Sequence, residues 1–385
     1  MRTLLLTGPG GAGTSTLAAA AAVRSARNGQ RTVLLSRQSV AVPGLDAVEG
    51  LTVVRVDPQS TVERLWGSAA GAVGPVVPHL TLPPESSVVP LPGAATIALF
   101  AELARADADL VVLDAGSLEA MTALVALPSG LRWWLDQLLP PGMRALGAVR
   151  TAAVAAGAAK RGPVDAALAA VPVVESLLAR DRLTGRTTVC LVAEPRRSSL
   201  PALRSAVTTL ALHGLPTAGV LARVLPLDGA GEWAARRSAE QGDVLAGLAE
   251  VGPVHRVPEH AVPPADVDEL AGLLEGFLLP DADPPGTPAA ERHEGAWQLT
   301  VPLPFAERSG LRLTRWVDDL VISVGDVRRS VRLDALLRRC EVTGGRLVDP
   351  GTPDARLVVG FRPDPQHWPA DLLAAEAMAS QEGTS

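Results

Sequence analysis

A glycine-rich loop near the amino terminus carries the residues best suited to binding a ligand. The apolar run TLLLT leads into the loop, and the alanine-rich stretch LAAAAAV follows it. Glycines let backbone N–H groups converge on an anion, and the start of a helix adds about half a positive charge. We therefore predict that the loop binds phosphate. The candidate binding residues are Gly8, Gly10, Gly11, Ala12, Gly13, Thr14, Ser15 and Thr16.

Two phosphate-binding motifs fit the loop. The motif G-x-x-x-x-G-K-[ST] fits in spacing, but Thr14 stands where the lysine belongs. The dinucleotide motif G-x-G-x-x-G also fits, through Gly8, Gly10 and Gly13. In that case Arg37, at the end of the second predicted strand, would suit the 2′-phosphate of NADP. A third interpretation is a tight turn without a ligand, and the loop alone does not decide among the three.

Three residue types that such sites use are almost missing. Lys160 is the only lysine of the chain, Asn28 is the only asparagine, and there is no tyrosine. Lys160 lies in a stretch predicted to be helical, and Asn28 before Gly29 is typical of a helix end. An NADP-dependent reductase needs an acid such as tyrosine near its lysine, so that function is the weakest of the alternatives.

The elements that must position the loop alternate between short strands and longer alanine-rich stretches. The strand segments are unbroken apolar runs, which is typical of a parallel sheet buried on both faces. The stretches between them are long enough for helical crossovers, so we predict a doubly wound α/β domain with a mostly parallel sheet. The predicted strands are residues 3–7, 32–36, 51–56, 109–114, 187–193 and 217–222.

Changes of pattern divide the chain into domains. Residues 130–182 lack a strand-like run and indicate a helical insertion within a first domain of residues 1–280. Residues 281–295 are rich in proline and charge, which is typical of a linker. Short segments with period-two alternation predict a small β-sandwich over residues 296–363. Residues 364–385 show no pattern and indicate a polar tail.

The composition excludes several classes of protein. A net charge of −6 argues against nucleic-acid binding. Cys190 and Cys340 lie far apart without CxxC spacing, so we expect neither a disulfide framework nor a zinc site. The apolar start is too short for a signal peptide, and no apolar stretch reaches the roughly 20 residues of a membrane helix. We expect a cytoplasmic protein without direct membrane insertion.

Several segments resemble, in order and spacing, the ArsA-type ATPases, the family of arsenite pumps and tail-anchored-protein-targeting factors. GPGGAGTST resembles the family's Walker A loop, in which GKGGVGKTT is typical, and DLVVLDAGSLEAMTALVALP resembles its Walker B strand and switch II. VRVDPQSTVERLW resembles its aspartate-proline segment, and TAGVLARVLP resembles the strand ending in its adenine loop. Residues 297–362 resemble the alpha-crystallin-like (small-heat-shock-like) sandwich of some bacterial members. The resemblance covers nearly the whole chain and implies a P-loop fold.

The resemblance places a nucleotide site on particular residues. It implies that the glycine loop binds the phosphates of ATP or ADP, and that Ser15 and Asp114 hold magnesium. It places Arg223 beside the base. It implies no zinc site and no arsenite site in this chain, because the cysteines on which the family builds them are missing.

The functional positions of the family are changed in this chain. The two lysines of the family's loop fall on Pro9 and Thr14, and the adenine-reading asparagine falls on Ala222. The aspartate that positions the attacking water falls at about Gln38. Losing a charge-assisted contact costs roughly 1.5–3 kcal/mol, so weak nucleotide binding would survive. The group that stabilises the transferred phosphate is worth about 10³–10⁵ in rate, so we predict negligible hydrolysis by this chain alone.

Two functions and two kinds of partner remain open. The chain is predicted to be a pseudo-ATPase that serves as a scaffold or regulatory subunit, in a homodimer or in a heterodimer with an intact ArsA-type paralogue. The alternative is an active ATPase in which Arg37, Arg223 or a partner supplies the missing charge. By resemblance to the targeting factors, Leu131–Leu139 with Trp133 and Trp134 would line a groove for a hydrophobic client helix. Ordinary core packing is the alternative for these tryptophans.

Overall fold

The computed structural model describes most of the chain. The described residues are 1–74, 81–140, 142–144, 146–147, 149–150, 163–183, 186–227, 231–278, 290–293, 296–366 and 368. Lys160, residues 281–289 of the predicted linker and residues 369–385 of the predicted tail lie outside them.

A seven-stranded sheet with helices forms the α/β part, as predicted. The strand order is β3-β2-β4-β1-β5-β6-β7, and the β1–β4, β2–β4, β2–β3, β5–β6 and β6–β7 pairs are parallel. All six predicted strands are present, and the sequence VHRVP of β7 was missed because its polar residues break the apolar pattern. The strands are β1 Arg2–Gly8, β2 Thr32–Ser36, β3 Leu51–Arg55, β4 Leu110–Ser117, β5 Thr187–Ala193, β6 Thr217–Val224 and β7 Val254–Pro258.

The strand order distinguishes between the two phosphate-binding motifs. In the common dinucleotide-binding fold the first two strands of the sheet are neighbours. Here β4 lies between β1 and β2 and pairs with both of them. The order therefore does not support the NADP interpretation of the glycine loop.

Eight α-helices are described. They are α1 Thr14–Arg27, α2 Pro58–Val73, α3 Ala94–Arg105, α4 Leu118–Leu138, α5 Pro163–Ala179, α6 Ser199–Leu212, α7 Glu232–Ala249 and α8 Val267–Gly272. Short 3₁₀ helices cover Leu45–Ala47, Glu85–Ser87 and Leu337–Arg339. Helix α2 begins where Asp57 accepts hydrogen bonds from the amides of Gln59 and Ser60, and Pro58 occupies the first turn. The described part of the expected helical insertion consists of the end of α4, α5 and helical residues between 142 and 150.

The chain forms two compact units. The first unit contains the described residues of Met1–Thr187 and His260–Leu279, and the second contains those of Thr188–Glu259 and Pro280–Ser385. The second unit thus contains strands of the α/β part together with the carboxyl-terminal sandwich.

The sandwich of the second unit has two antiparallel sheets. One has the order β10-β11-β12 and the other the order β13-β14-β9-β8. Strand β8 lies within the last residues of the predicted linker, and β13 was not predicted. The strands are β8 Ala290–His293, β9 Ala296–Pro302, β10 Leu311–Trp316, β11 Asp319–Val324, β12 Val327–Arg332, β13 Cys340–Val348 and β14 Arg356–Pro363.

Helix α6 packs against the sandwich within the second unit. Leu212, at the end of α6, is fully buried in the same apolar core as Leu299 and Phe361 of the sandwich. Arg329 of β12 donates a hydrogen bond to the carbonyl oxygen of Leu212. His213 follows directly and is 9% exposed; burial, with a smaller contribution from Arg329, lowers its pKa to about 4. The sandwich core is therefore completed by a helix of the α/β part.

Candidate functional site

The carboxyl ends of β1, β2 and β4 meet at one edge of the sheet in the first unit. The register pairs Leu6 with Asp114 in β4, and Leu35 of β2 with Leu113. Ser36 therefore ends β2 next to Asp114, and the glycine loop leaves β1 beside both residues. Ligands of parallel sheets bind at such an edge, which makes it the candidate site.

The glycine loop has a backbone that only glycine adopts easily. Gly11 and Gly13 have φ angles of 81° and 90°, in the left-handed region. The Ala12 amide donates to the Pro9 carbonyl at 3.2 Å, which closes the turn. A Cβ atom at Gly10 or Gly11 would meet no atom within 4 Å, so the loop faces open space.

Helix α1 starts in the loop without a cap. Gly13 is its N-cap residue, no side chain caps the first turn, and that turn contains no acidic residue. The first amides of a helix lack partners within the helix, so those of Thr14, Ser15 and Thr16 are suited to an anion. Thr14, at the position of the motif's lysine, is only 9% exposed. The glycine loop and the first turn of α1 thus offer backbone dipoles to an anion and carry no cationic side chain.

A chain of hydrogen bonds joins the loop to β4. The Ser15 hydroxyl donates to Oε1 of Gln38 at 3.1 Å, and the Gln38 amide donates to the Ser36 hydroxyl at 3.0 Å. Ser36 in turn donates to Oδ2 of Asp114 at 2.7 Å. The Gly116 amide donates to Oδ1 of Asp114 at 3.0 Å. Asp114 is 3% exposed, so its carboxylate is a buried acceptor with a partner on each oxygen.

Arg223 lies in the second unit and is held by carboxylates. Its guanidinium is 3.7 Å from Oε2 of Glu194 and 3.1 Å from Oε2 of Glu259. Glu194 also pairs with Arg237, which is 3% exposed and donates to the Pro195 carbonyl at 2.8 Å. The charge of Arg223 is therefore largely compensated within its own unit.

The loop after β6 is fixed by a side-chain clamp. Gln241 of α7 accepts a hydrogen bond from the Leu225 amide at 2.9 Å and donates one to the Leu225 carbonyl at 3.2 Å. Ala222, at the position expected to read the base, is completely buried in β6. The Ala222 side chain thus offers neither a polar group nor an exposed surface to a base.

Ser36, Glu194 and Gln241 were not singled out from the sequence. Ser36 carried a detectable signal, because it is the polar residue that ends an apolar strand at the binding edge of a parallel sheet. Glu194 likewise directly follows the apolar run of β5. Gln241 lies within a polar helix, where nothing in the pattern marks it.

The two cysteines are buried in strands of different sheets. Cys190 is buried in β5, and burial raises the pKa of its thiol to about 12. Metals bind the thiolate, which is disfavoured at such a pKa. Cys340 is buried at the start of β13. Among the described residues, no group of three or more His, Cys, Asp or Glu side chains is placed to hold a metal ion.

Apolar side chains are exposed at the end of α4 and beyond. Trp134 is 58% exposed and meets Trp133 edge to face, with ring centroids 5.0 Å apart. Core packing is therefore the wrong interpretation for Trp134. Other large apolar side chains exposed in this segment are Leu138, Met143, Leu146 and Val149. Within the described part of the chain, no helix has the length and apolarity that crossing a membrane requires.

Comparisons with known proteins agree with this architecture. The family model described as anion-transporting ATPase matches residues 1–251, and the model described as an HSP20-like domain found in ArsA matches residues 294–361. The chain is 38% identical to an uncharacterised protein of Streptomyces coelicolor, over 96% of this chain and 99% of that protein. It is 29% identical to a protein of Mycobacterium tuberculosis, over 96% of this chain and 97% of that protein.

Proposed function

Because this chain belongs to the ArsA-type anion-transporting ATPase family, we propose that it binds nucleotide phosphates weakly and does not hydrolyse ATP. It serves as a scaffold or regulatory subunit in the cytoplasm. The observation that carries the proposal is the loop itself, which keeps an open glycine cradle and an uncapped helix start while Thr14 replaces the cation.

The retained groups support binding. Uncapped amides at the start of α1 and the helix dipole attract a phosphate without any side-chain charge. One lost charge-assisted contact corresponds to roughly one to two orders of magnitude in affinity. We therefore propose dissociation constants weaker than those of an intact P-loop by about that factor.

The replaced groups argue against hydrolysis. Gln38 stands where a carboxylate would orient the attacking water, and its amide oxygen already accepts a hydrogen bond from Ser15. Arg223 is paired with two carboxylates and so is a poor substitute for the missing lysine. Arg37, the other arginine that the sequence suggested for such a role, is exposed beside Gln38. Phosphoryl transfer depends on these positioned charges, so their joint loss removes most of the rate.

A non-hydrolysing subunit requires a partner in order to affect ATP turnover. We propose that the chain forms a homodimer, or a heterodimer with an intact paralogue whose conformation it biases through the interface. Analytical ultracentrifugation of the pure chain, alone and mixed with each family paralogue of the same cell, tests this. A monomer that binds no paralogue would refute the subunit role.

The exposed apolar side chains around Trp134 support a second partner, a hydrophobic client helix. Exposed apolar groups in one segment are typical of an interaction site. Photo-crosslinking of a hydrophobic helical peptide should fall in Trp134→Glu and persist in Trp233→Glu, which alters another exposed tryptophan, in α7. Equal crosslinking to both variants would remove the support for a client site at this segment.

Calorimetric titration with ATP, alongside a phosphate-release assay, tests the central proposal. We expect weak binding without turnover, and roughly ten- to hundred-fold tighter binding in Thr14→Lys. The control is Ser39→Lys, which adds the same charge at an exposed neighbouring position. Sustained turnover by the pure chain, abolished in Asp114→Asn, would favour the active ATPase instead. Absence of binding would refute the proposed function.

A further inference from the structure

We infer that the glycine loop takes its phosphate ligand without magnesium, and that magnesium does not strengthen binding. The inference rests on the proposed nucleotide binding and goes against the expectation that Ser15 and Asp114 hold the metal. It follows from the oxygen atoms that the structure places at this edge of the sheet.

The only carboxylate in the hydrogen-bonded chain is committed to the protein. Asp114 is buried, and its two oxygens accept hydrogen bonds from the Ser36 hydroxyl and the Gly116 amide at 2.7 and 3.0 Å. The bond from Ser36 joins the ends of β2 and β4, and the bond from Gly116 lies within β4. Moving the carboxylate to a metal would leave the buried Ser36 hydroxyl without its acceptor, which costs free energy.

The oxygens next to the loop are neutral. The Ser15 hydroxyl donates a hydrogen bond to the amide oxygen of Gln38, and neither group carries a charge. Mg²⁺ prefers one or two carboxylates together with phosphate and water oxygens, and it loses its water reluctantly. A hydroxyl and an amide alone provide no charge to offset that loss. The donor set therefore does not fit magnesium.

The absence of a metal contact has a consequence for the choice of ligand. In P-loop enzymes the metal and the lysine together contact the β- and γ-phosphates. Here neither is provided, and the backbone amides of the loop are left as the phosphate ligands. ADP should then bind about as well as ATP. Because both make the same contacts with the loop, exchanging one for the other should not shift the protein between conformations. The site would be a constitutive anion site instead of a switch.

Titration of the full-length protein with ATP, in excess EDTA and in excess MgCl₂, tests the inference. We expect dissociation constants equal within about two-fold in the two buffers. Binding that magnesium strengthens by about ten-fold or more would overturn the inference and leave the proposed function intact. Absence of binding in both buffers would overturn the proposed function and the inference with it.

A matched pair of variants tests the physical reason. Gln38→Glu keeps the shape of the side chain and places a charged oxygen beside Ser15, so its binding should become at least about ten-fold tighter in magnesium. Ser39→Glu adds the same charge at the next exposed residue and should remain independent of magnesium. The explanation would be overturned if nucleotide binding by Gln38→Glu were independent of magnesium, or if binding by both variants became dependent on magnesium.

Discussion

Buried His213 should make the stability of the second unit depend on pH. Burial, with a smaller contribution from Arg329, lowers its pKa from 6.5 to about 4, so the folded protein keeps the imidazole neutral. In the unfolded chain His213 takes up a proton near pH 6.5, whereas in the folded protein it takes one up only near pH 4. The free energy of unfolding is therefore unaffected by the protonation of His213 above about pH 6.5, and it decreases as the pH falls towards 4. At 1.36 kcal/mol per pKa unit the loss is about 3 kcal/mol.

Urea unfolding followed by circular dichroism, at a series of pH values between 7 and 4, measures this effect. Other groups also titrate in this range, so the useful quantity is the free energy of unfolding of the protein minus that of His213→Leu. The difference should fall by about 3 kcal/mol over the range. The control is His260→Leu, which removes a histidine that is exposed in the structure.

Two results would refute the reasoning. A difference for His213→Leu that does not change with pH would mean that His213 takes up its proton in the folded protein as readily as in the unfolded chain. A difference that grows as the pH falls would mean that the imidazolium is stabilised, which is incompatible with its burial beside the Arg329 guanidinium.

Three further predictions concern packing, capping and ligand choice. Leu212→Ala should lower the stability of the sandwich by about 2–5 kcal/mol and increase the rate at which maleimide labels Cys340. The control is Leu203→Ala, which changes a leucine that is also fully buried in α6 but lies outside the sandwich core. It should not selectively increase the labelling rate of Cys340. Asp57→Ala should lower the free energy of unfolding of the first unit by about 1 kcal/mol, measured by urea unfolding, because α2 loses its cap, whereas Asp57→Ser should retain most of it. ADP and ATP should bind with dissociation constants within about three-fold in calorimetry, and a preference of ten-fold or more for ATP would indicate a γ-phosphate contact.

Much of the fold was predictable because the buried strands of the sheet have sequences that are unbroken apolar runs. β4, with its run LVVL, is buried on both faces, and such a strand needs no tertiary information to be recognised. β7 carries His255 and Arg256, which hid it from the same criterion. β13 was missed because Gly344 and Gly345 read as a turn. In the sandwich a side chain at Gly345 would overlap Leu313, so this glycine serves the packing of the two sheets.

The candidate site was predictable only in part. Motif spacing indicated the loop and Ser15, and the family resemblance indicated Gln38; the structure joins Ser15 to Gln38 directly. The bond between Ser36 and Asp114 depends on the register of strands that lie 78 residues apart, which no local pattern specifies. The partners of Arg223 are also remote from it in sequence, because Glu194 follows β5 and Glu259 follows β7.

The burial of Leu212 among sandwich residues limits how the sandwich can be gained or lost in evolution. A deletion of the carboxyl-terminal region would expose this leucine and remove the hydrogen bond that Arg329 gives to its carbonyl. Loss of the region would therefore favour a polar residue at this position. Family members without a sandwich should carry such a residue at the end of the corresponding helix, and those with a sandwich should carry an apolar one.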